Sequence, residues 1–408
     1  MSKVPAGWEL APISSVCESI IDCVNKTAPV VDFKTPFKMI RTTNVRHGRV
    51  DTENVRYVTK STFDTWTRRG APKEGDIILT REAPVGEVGI LENAEGVFLG
   101  QRTVMYRADS IKSDNYFLLY SLLGKFCQKQ IENFSNGGTV AHMRVPDCEE
   151  ILLKIPPLPE QTKIAQILST WDKAIATTEQ LIGNSQQQKK ALMQSLLTGK
   201  KRLPGFEGEW AAGFLGDLCS FKGGFGFKEN YQGKTTGDVP FIKVSDMNLK
   251  GNEIFITSSN NWLSQDDISE TRVKPFPIGS VVFAKVGAAL LLNRRRILVR
   301  DTIVDNNMMA GMPFKGCDTN FLYQLMLRID FAKFVQDGAV PSINQSDLSK
   351  FKIKSPPLPE QQKIAAVLTA ADNEIELLQK KLSFLKQEKT ALMQQLLTGK
   401  RRVKVEAA

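Results

Sequence analysis

Histidine and cysteine, the residues that most often build metal sites, are sparse in this chain. Only two histidines, His47 and His142, occur among 408 residues, and none of the six cysteines belongs to a CxxC pair. Zinc sites need several such ligands at short spacings. The sequence therefore predicts no metal site, and the dispersed thiols indicate buried apolar positions in a reducing compartment.

Long apolar runs are missing as well. No stretch reaches the about 20 apolar residues of a membrane-spanning helix. The start MSKVPAGWEL also lacks the basic-then-apolar pattern of a signal peptide. We therefore expect a cytoplasmic protein with no membrane partner.

Acidic residues are outnumbered by basic ones. The chain has 44 Asp and Glu against 54 Lys and Arg, which gives a formal net charge of +10 and a pI near 9.2. The excess is distributed along the chain and not confined to a tail. This distribution favours an acidic polymer such as nucleic acid as the partner.

Catalytic motifs are also lacking. The only Pro-Pro pairs, at 156–157 and 356–357, are without the Asn or Asp and the aromatic residue of an adenine methyltransferase motif. Residues 233–235 (GKT) resemble the end of a phosphate-binding loop, but Lys228 stands where its first glycine is required. Asp147 lacks the Glu-x-Lys spacing of a metal-dependent nuclease and is interpreted as a helix cap. The sequence therefore predicts a chain that is not an enzyme.

An internal repeat is the strongest positive signal. Residues 156–200 and 356–400 nearly copy each other at an offset of 200 without a gap, and each copy follows a region of about 150 residues. Weaker matches, such as Trp8 with Trp210, relate those two regions at offsets of 202 to 204. The predicted organisation is domain 1 (1–155), helix 1 (156–200), domain 2 (201–355), helix 2 (356–400) and a basic tail (401–408).

Both repeated segments carry the marks of a long helix. Each begins with PPLPEQ, whose prolines suit a first helical turn, and each ends with a glycine, Gly199 or Gly399, where a left-handed cap needs one. Between these signals, apolar residues recur at alternating spacings of four and three, which predicts a coiled-coil seam. The seam residues are Ile164, Leu168, Ile175, Leu192 and Leu196, with Ile364, Leu368, Ile375, Leu392 and Leu396.

The apolar seam residues of the two helices predict that the helices pair with each other. From Glu160 to Thr198 a helix would be about 58 Å long, which suits a spacer. An antiparallel pairing would bury the seam residues of both helices within the chain and relate its halves by a pseudo-twofold axis. Glu160 and Gln161 recur as Glu360 and Gln361, and Gln194 recurs as Gln394. We interpret these residues as a repeated exposed surface for two copies of one partner. The alternative is that each helix packs only on its own domain.

Each flanking region reads as mixed structure, so the predicted fold class is α+β, with two mixed α/β domains separated by the helices. In domain 1 the expected strands are Lys38–Thr42, Asp76–Thr80, Glu87–Leu91 and Arg102–Arg107, followed by a helix from Asn115 to about Glu132. Domain 2 repeats this order with strands Pro240–Val244, Ser280–Ala284 and Arg296–Val299 and a helix Phe321–Val335.

The pattern PPLPEQ-x-KIA, followed by a long helix that ends in LLTGK and present twice, resembles the specificity subunit of type I restriction-modification systems. The segments VPAGW at residue 4 and GDIIL at residue 75 add to this resemblance, which covers essentially the whole chain. It implies that each domain recognises one half of a bipartite double-stranded DNA target. It also implies that the helices hold two methyltransferase subunits and determine the spacing of the half-sites.

The resemblance further implies that the chemistry belongs to other subunits. Adenine N6 methylation with S-adenosylmethionine would take place in the methyltransferase partners, which must flip the adenine out of the duplex. ATP and Mg would be used by restriction and motor subunits. No cofactor is expected in this chain.

Candidate base-reading residues have side chains that can contact base edges through two hydrogen bonds. In domain 1 they are Arg41, Asn44, Arg46, Arg81, Gln101, Arg102 and Arg144. In domain 2 they are Lys243, Asn248, Lys285, Asn293, Arg295, Asn306, Asn307, Asn344 and Gln345. Candidate phosphate contacts are Arg68, Arg69, Arg294 and Arg296.

Two other classes of function compete with this interpretation. A single-chain restriction enzyme would contain its own catalytic motif, and none of those considered above is complete. A coiled-coil adaptor that binds only proteins would explain the helices, but it leaves the charge of +10 and the two divergent domains without a purpose.

Overall fold

The computed structural model describes residues 4–135, 141–226, 228–335 and 340–405, so the last three residues of the predicted tail lie outside the described part. Its contacts divide the chain into two compact units. Unit 1 is Met1–Glu179 with Lys380–Ala408, and unit 2 is Gln180–Gln379. The boundary passes through the middle of both long helices. Each unit therefore contains one domain, the first half of the helix that follows it and the second half of the other helix.

Unit 1 begins with short strands and ends in helices. Its elements are β1 (Glu9–Pro12), β2 (Cys17–Asp22), β3 (Lys38–Ile40), β4 (Val45–Arg46), β5 (Gly48–Val50), β6 (Arg56–Tyr57), α1 (Lys60–Trp66), β7 (Ile77–Arg81), β8 (Val85–Ile90), β9 (Val97–Leu99), β10 (Thr103–Ala108), α2 (Asn115–Leu123), α3 (Lys125–Ser135), α4 (Val145–Glu149), β11 (Leu152–Ile155) and the first half of α5 (Leu158–Leu196).

Three sheets carry these strands. The largest has the order β2-β10-β7-β8-β5-β4, a second has the order β6-β3-β9, and β1 pairs with β11. The central strand β7 is buried along its whole length, since residues 77–81 are all buried. Helix α2 packs on this sheet through Phe117, Leu118 and Leu122. The core of unit 1 therefore lies between the large sheet, α2 and the start of α5.

Unit 2 follows a similar order of strands and helices. Its elements are the second half of α5, β12 (Ala211–Phe214), β13 (Cys219–Gly223), β14 (Val239–Ile242), β15 (Phe255–Ile256), β16 (Asn261–Leu263), α6 (Gln265–Thr271), β17 (Val281–Ala284), α7 (Ala288–Leu291), β18 (Arg296–Leu298), β19 (Ile303–Val304), β20 (Met308–Pro313), α8 (Thr319–Arg328), α9 (Gln345–Ser349), β21 (Lys352–Ser355) and the first half of α10 (Leu358–Leu396). Its sheets have the orders β13-β20-β17-β18-β15, β16-β14-β19 and β12-β21. They repeat those of unit 1, except that the large sheet has five strands and lacks a counterpart of β4.

The predicted helix from Asn115 to Glu132 was wrong as a single element. Gly124 has an extended ψ of 147° and caps α2, and α3 begins at the next residue. The predicted helix Phe321–Val335 is likewise α8, ending at Arg328, and then a short 3-10 turn, Phe331–Phe334. The apolar periodicity continues through both breaks, which explains why the sequence pattern did not reveal them.

The prediction that the cysteines occupy buried positions is confirmed. Five of the six thiols are buried and Cys17 is half-buried, and all six are free. Burial raises the pKa of the Cys127 thiol to about 12, because the apolar surroundings disfavour the thiolate. These residues therefore act as small apolar core residues.

Both long helices span 39 residues and are slightly shorter than the repeated segments. The helical hydrogen bonds begin after the Pro-Pro pair, because proline has no amide hydrogen and restricts the residue before it. At the other end, Gly199 and Gly399 adopt φ values of +69° and +68°. This left-handed conformation favours glycine and confirms the predicted caps.

Within each unit, half of one helix lies antiparallel to half of the other. In unit 1, Ile164 and Leu168 from the start of α5 share the core with Leu396 from the end of α10. In unit 2, Ile364 and Leu368 share the core with Leu196. These cores also contain residues of the adjoining domain, so the helices pack both on a domain and on each other. The antiparallel pairing is as predicted. The alternative, that each helix packs on the domain that precedes it, holds for the first turns of α5 and α10.

Two polar pairs lie in this seam. Lys389 contacts Asp172 in unit 1 and Lys189 contacts Asp372 in unit 2, each with an N–O distance of 2.5 Å. Both lysine side chains are only 15% exposed. A polar pair at one seam position is a known means of specifying the register of two helices.

The segment after each helix is fastened to the start of the other helix. In unit 1, the Arg402 guanidinium donates two hydrogen bonds of 2.7 Å to Glu160, and the Trp8 indole donates to the same carboxylate at 3.2 Å. In unit 2, Arg202 and Trp210 make the equivalent bonds to Glu360. Both carboxylates are buried. We call these two arrangements the arginine clamps.

We expect Arg202→Ala to lower the thermal unfolding midpoint by about 6 °C, because the buried Glu360 carboxylate would keep only the indole donor. Differential scanning calorimetry would measure this shift. Lys200→Ala is the control, since Lys200 is exposed and lies two residues away. An unchanged midpoint for Arg202→Ala would show that the clamp contributes nothing to stability.

Candidate nucleic-acid interface

Several chain segments meet at one edge of the sheets in unit 1. The Arg81 amide at the end of β7 donates to the Arg102 carbonyl at 2.8 Å, and the Met143 amide donates to the Arg81 carbonyl at 2.9 Å. A third segment joins them, because the Thr42 hydroxyl donates to the Ala83 carbonyl at 3.0 Å. We define edge 1 as residues 41–42, 82–83, 100–102 and 142–144.

Unit 2 has the same arrangement. The Lys285 amide after β17 donates to the Asn307 carbonyl at 2.9 Å, and the Ile343 amide donates to the Lys285 carbonyl at 3.1 Å. The Asp305 amide donates to the Ile242 carbonyl at the end of β14. We define edge 2 as residues 243–244, 285–286, 305–307 and 342–344. The backbone scaffold of edge 1 is therefore repeated, and its side chains are not.

Four of the domain 1 candidates lie together at edge 1. Arg102 and Arg144 are well exposed, with side-chain exposures of 51% and 76%. Arg41 and Gln101 are half-buried. Arg144 donates two hydrogen bonds to Asp147, which lower the pKa of that carboxyl, so the guanidinium is held in a fixed orientation. Edge 1 thus presents several donors on a rigid support.

Edge 2 gathers five candidates of domain 2. They are the half-buried Lys243 and Lys285 and the exposed Asn306, Asn307 and Asn344. Gln345 is also exposed and begins α9 directly after this edge. Lys243 Nζ donates to Gln232 at 2.5 Å. Arginine at edge 1 is replaced here by lysine and asparagine, so the two edges present different donors and acceptors to a ligand.

Three candidates are buried, and we correct their expected role from base contact to support of the fold. Arg81 is 7% exposed and donates to the Met143 carbonyl at 3.0 Å, which holds one segment of edge 1 in place. Asn44 donates to the Asn54 carbonyl and accepts from the Arg41 amide. Arg295 is fully buried, 3.6 Å above the Phe331 ring, and burial lowers its pKa to about 10.

The remaining candidates lie outside the two edges as defined, and those other than Arg68 have partners of their own. Arg46 pairs with Glu87, Arg69 pairs with Asp22, Arg294 donates to Asn248, Asn293 donates to Asp330, and Arg296 donates to the Met247 carbonyl. Arg68 is exposed near the end of α1. The structure therefore does not bring these residues together with the edge residues, and their contact with DNA stays a prediction.

Sequence reasoning missed one prominent residue of edge 1. Glu82 lies between Arg102, at 3.2 Å, and His142, at 3.6 Å. The three are far apart in sequence and meet only through strand pairing. Aligning the repeat would have drawn attention to Glu82, because the equivalent residue in domain 2 is the apolar Val286.

The repeated polar residues at the helix starts are not a partner surface. Glu160 and Glu360 are the acceptors of the arginine clamps, and Gln161 and Gln361 are 1% and 2% exposed. Gln161 accepts from the Asp114 amide at 3.1 Å and donates to the Lys112 carbonyl at 2.9 Å. Their identity in the two copies thus follows from identical internal contacts. The prediction that they form an exposed surface was wrong.

The prediction of a repeated exposed surface is confirmed for Gln194 and Gln394, which face solvent together with other repeated residues. Gln187, Ala191 and Gln194 are exposed in α5 and Thr198 is half-buried, and the same four residue types recur at 387, 391, 394 and 398 with the same exposure. Their spacings of four, three and four place them on one face of a helix. Exposed neighbours differ between the copies, as Gln188 against Glu388 shows. We call these eight residues the repeated stripe.

Among the described residues, no group of three or more His, Cys, Asp or Glu side chains is arranged to hold a metal ion. None of the helices in the described ranges is long and apolar enough to cross a membrane.

Comparison with known proteins accounts for nearly the whole chain. Residues 5–184 and 207–387 match the family described as "Type I restriction modification DNA specificity domain". A putative type I restriction enzyme MjaX specificity subunit from Methanocaldococcus jannaschii is 27% identical, over 99% of this chain and 96% of the relative. The two matched ranges correspond to the two copies of the internal repeat.

Solved structures share the fold. The S subunit of a type I restriction-modification system from M. genitalium aligns with a TM-score of 0.59, at 16% identity over 97% of both chains. A chain from a structural study of complex assembly and conformational transition of the type I R-M system aligns with a TM-score of 0.60, at 17% identity, over 98% of this chain and 100% of that chain. Together with the two family matches, these findings establish that the chain belongs to the type I restriction-modification DNA specificity family and is a non-catalytic specificity subunit with two DNA-recognition domains.

Proposed function

We propose that edge 1 and edge 2 each read one half of a bipartite target in double-stranded DNA. The observation that supports this is the repetition of one backbone scaffold with different side chains. Arg102 becomes Asn307, Arg144 becomes Asn344 and Arg41 becomes Lys243. Arginine favours guanine edges, whereas asparagine favours adenine. Two edges of this kind would read unlike half-sites, so the whole target would be asymmetric.

The net charge of +10 is consistent with this role, since phosphate contacts supply much of the affinity of DNA-binding proteins. Arg68, Arg69 and Arg294 are exposed and are our candidates for phosphate contacts. These contacts would position the chain, and the edge residues would supply the sequence discrimination.

We further propose that each half of the repeated stripe binds one copy of the same methyltransferase subunit. The stripe is identical in both helices although, among the contacts of the described residues, only its threonine side chains, Thr198 and Thr398, form hydrogen bonds. Exposed residues beside the stripe have changed. One partner type that binds twice explains this pattern. The solved chain with a TM-score of 0.60 comes from a study of complex assembly in a type I system, which is compatible with such partners.

The chemistry is assigned to those partners. S-adenosylmethionine would bind to the methyltransferase subunits, and ATP and Mg to restriction and motor subunits. The chain itself would place the target adenine where a methyltransferase subunit can flip it out of the duplex. The six free thiols suit the cytoplasm, which keeps cysteines reduced.

Methylome sequencing tests the proposal directly. A host that carries this gene and its methyltransferase partner is compared with the same host after deletion of this gene alone. We expect the deletion to abolish one bipartite adenine-methylation motif and to leave every other motif unchanged. An unchanged methylome with an active partner would favour a coiled-coil adaptor that binds only proteins.

A further inference from the structure

Glu82 occupies a fixed position in edge 1. It follows the last residue of β7, whose backbone is bonded to Arg102 on one side and to Met143 on the other. Glu82 itself forms a single antiparallel bridge with His142. The backbone around the carboxylate is therefore held by two neighbouring segments, and its side chain is 22% exposed.

The carboxylate is contacted on only one of its oxygens. Arg102 Nε lies 3.2 Å from Oε2, and His142 Nδ1 lies 3.6 Å from the same atom. Among the contacts of the described residues, none involves Oε1. One oxygen is thus held from two sides, and the other can accept a hydrogen bond from a ligand.

A carboxylate at a DNA-binding edge needs an explanation, because phosphates repel it. Arg102, whose guanidinium lies 3.2 Å from the carboxylate, lowers this repulsion. In the major groove, the groups on DNA that favour an acceptor are the exocyclic amines, N4 of cytosine and N6 of adenine. Guanine and thymine present acceptors to the major groove at the corresponding positions, so a carboxylate disfavours them.

Domain 2 shows that the fold does not require the side chains of Glu82, Arg102 and His142. Val286, Asn307 and Ser342 occupy the equivalent positions, and Val286 forms the same bridge with Ser342. The Lys285 amide bonds to Asn307 as the Arg81 amide bonds to Arg102. The same scaffold therefore forms with no charge at this position, which argues against a purely structural role for Glu82.

We propose that Glu82 reads one base pair of the domain 1 half-site by accepting a hydrogen bond from the exocyclic amine of cytosine or adenine, with Arg102 and His142 positioning its carboxylate. This inference rests on the proposed function and names the chemical group that edge 1 recognises. The apolar Val286 cannot accept such a bond, so the readout belongs to domain 1 alone.

A double-mutant cycle between protein and DNA tests the proposal. The chain is purified with its methyltransferase partner, and binding is measured to a duplex with the target identified by the methylome. In the domain 1 half-site, each cytosine is replaced in turn by 2-pyrimidinone and each adenine by purine, which removes one exocyclic amine at a time. The protein variant is Glu82→Val, because domain 2 already holds valine at this position.

We expect one amine replacement to weaken wild-type binding about tenfold or more. Glu82→Val should weaken binding to the unmodified duplex by a similar factor and should be indifferent to that same replacement. Discrimination in the domain 2 half-site should not change. If Glu82→Val lowers the thermal midpoint, Glu82→Gln takes its place in the cycle and should reduce the coupling.

Asp109→Asn is the matched control. Asp109 follows the opposite end of β10 from Arg102, pairs with Lys112 at 3.3 Å and has a side-chain exposure of 26%, close to that of Glu82. It should keep the full sensitivity to every amine. The proposal is overturned if removal of each amine leaves wild-type binding unchanged. It is also overturned if Glu82→Val loses as much affinity as the wild type when the same amine is removed. Absence of any bipartite motif would instead refute the proposed function.

Discussion

Replacing Ala191 and Ala391 together by arginine is expected to abolish adenine methylation at the bipartite target. Both alanines lie at the centre of the repeated stripe and are exposed, and arginine is nearly as favourable in a helix as alanine. The fold of the chain should therefore persist. If a methyltransferase subunit covers this surface, an arginine there would be buried without a counter-charge. We expect binding of each copy to weaken about a hundredfold or more.

Native mass spectrometry would count the partner copies, and plasmid methylation would report the activity. Each single variant should retain one copy of the methyltransferase subunit, because the two halves of the stripe are separate. Gln188→Arg with Glu388→Arg is the control, since these residues are exposed next to the stripe but differ between the repeats. Full occupancy by two partners in the alanine variant would show that the partner binds elsewhere.

Adding seven residues to both long helices is expected to change the spacer of the target and leave both half-sites unchanged. The insertions belong after Glu179 and after Gln379, where the boundary between the two units crosses the helices. At these points the clamps and the Lys–Asp pairs of each unit stay intact. Seven helical residues add about 10 Å, which corresponds to about 3 base pairs.

The methylome of a host carrying the lengthened chain checks this expectation. An insertion of seven residues keeps the seam residues on the same face of each helix. Both halves of the repeated stripe should therefore still bind their partners. Insertion into one helix only is the control, because it makes the two connections unequal and should reduce methylation at every spacer length. Methylation at the original spacing by the doubly lengthened chain would show that helix length does not determine the target.

The sequence was informative wherever structure depends on residues close together in the chain. The helix ends at Gly199 and Gly399, the seam residues and the seven predicted strands follow from local patterns. Other strands of the two large sheets, such as β2 and β20, were not predicted. The base-reading residues were harder to predict. Arg81 and Arg295 have the residue type of a DNA contact, but their burial depends on residues far away, Met143 for one and Phe331 for the other. Residue type alone does not distinguish a buried arginine from an exposed one.

The repeat itself led to one error. Glu160 and Gln161 match Glu360 and Gln361, and a match between polar residues was interpreted as a shared exterior surface. The tertiary structure buries all four, because Trp8 and Arg402 close over one pair and Trp210 and Arg202 over the other. Identical residues in two copies of a repeat show that both positions need the same side chain. Whether that side chain contacts the rest of the fold or an external partner depends on which distant residues meet there.

By itself, the sequence determined the twofold repeat, the two long helices with their caps and seam, and membership of the family, because each depends on a regular pattern along the chain. Only the tertiary structure decided which polar residues are exposed. It buried Arg81 in the sheet and Glu160 and Gln161 at the start of the helix, and it placed Glu82 between Arg102 and His142. These arrangements depend on contacts between residues distant in the chain, where pairing of strands and packing of helices determine which side chains meet.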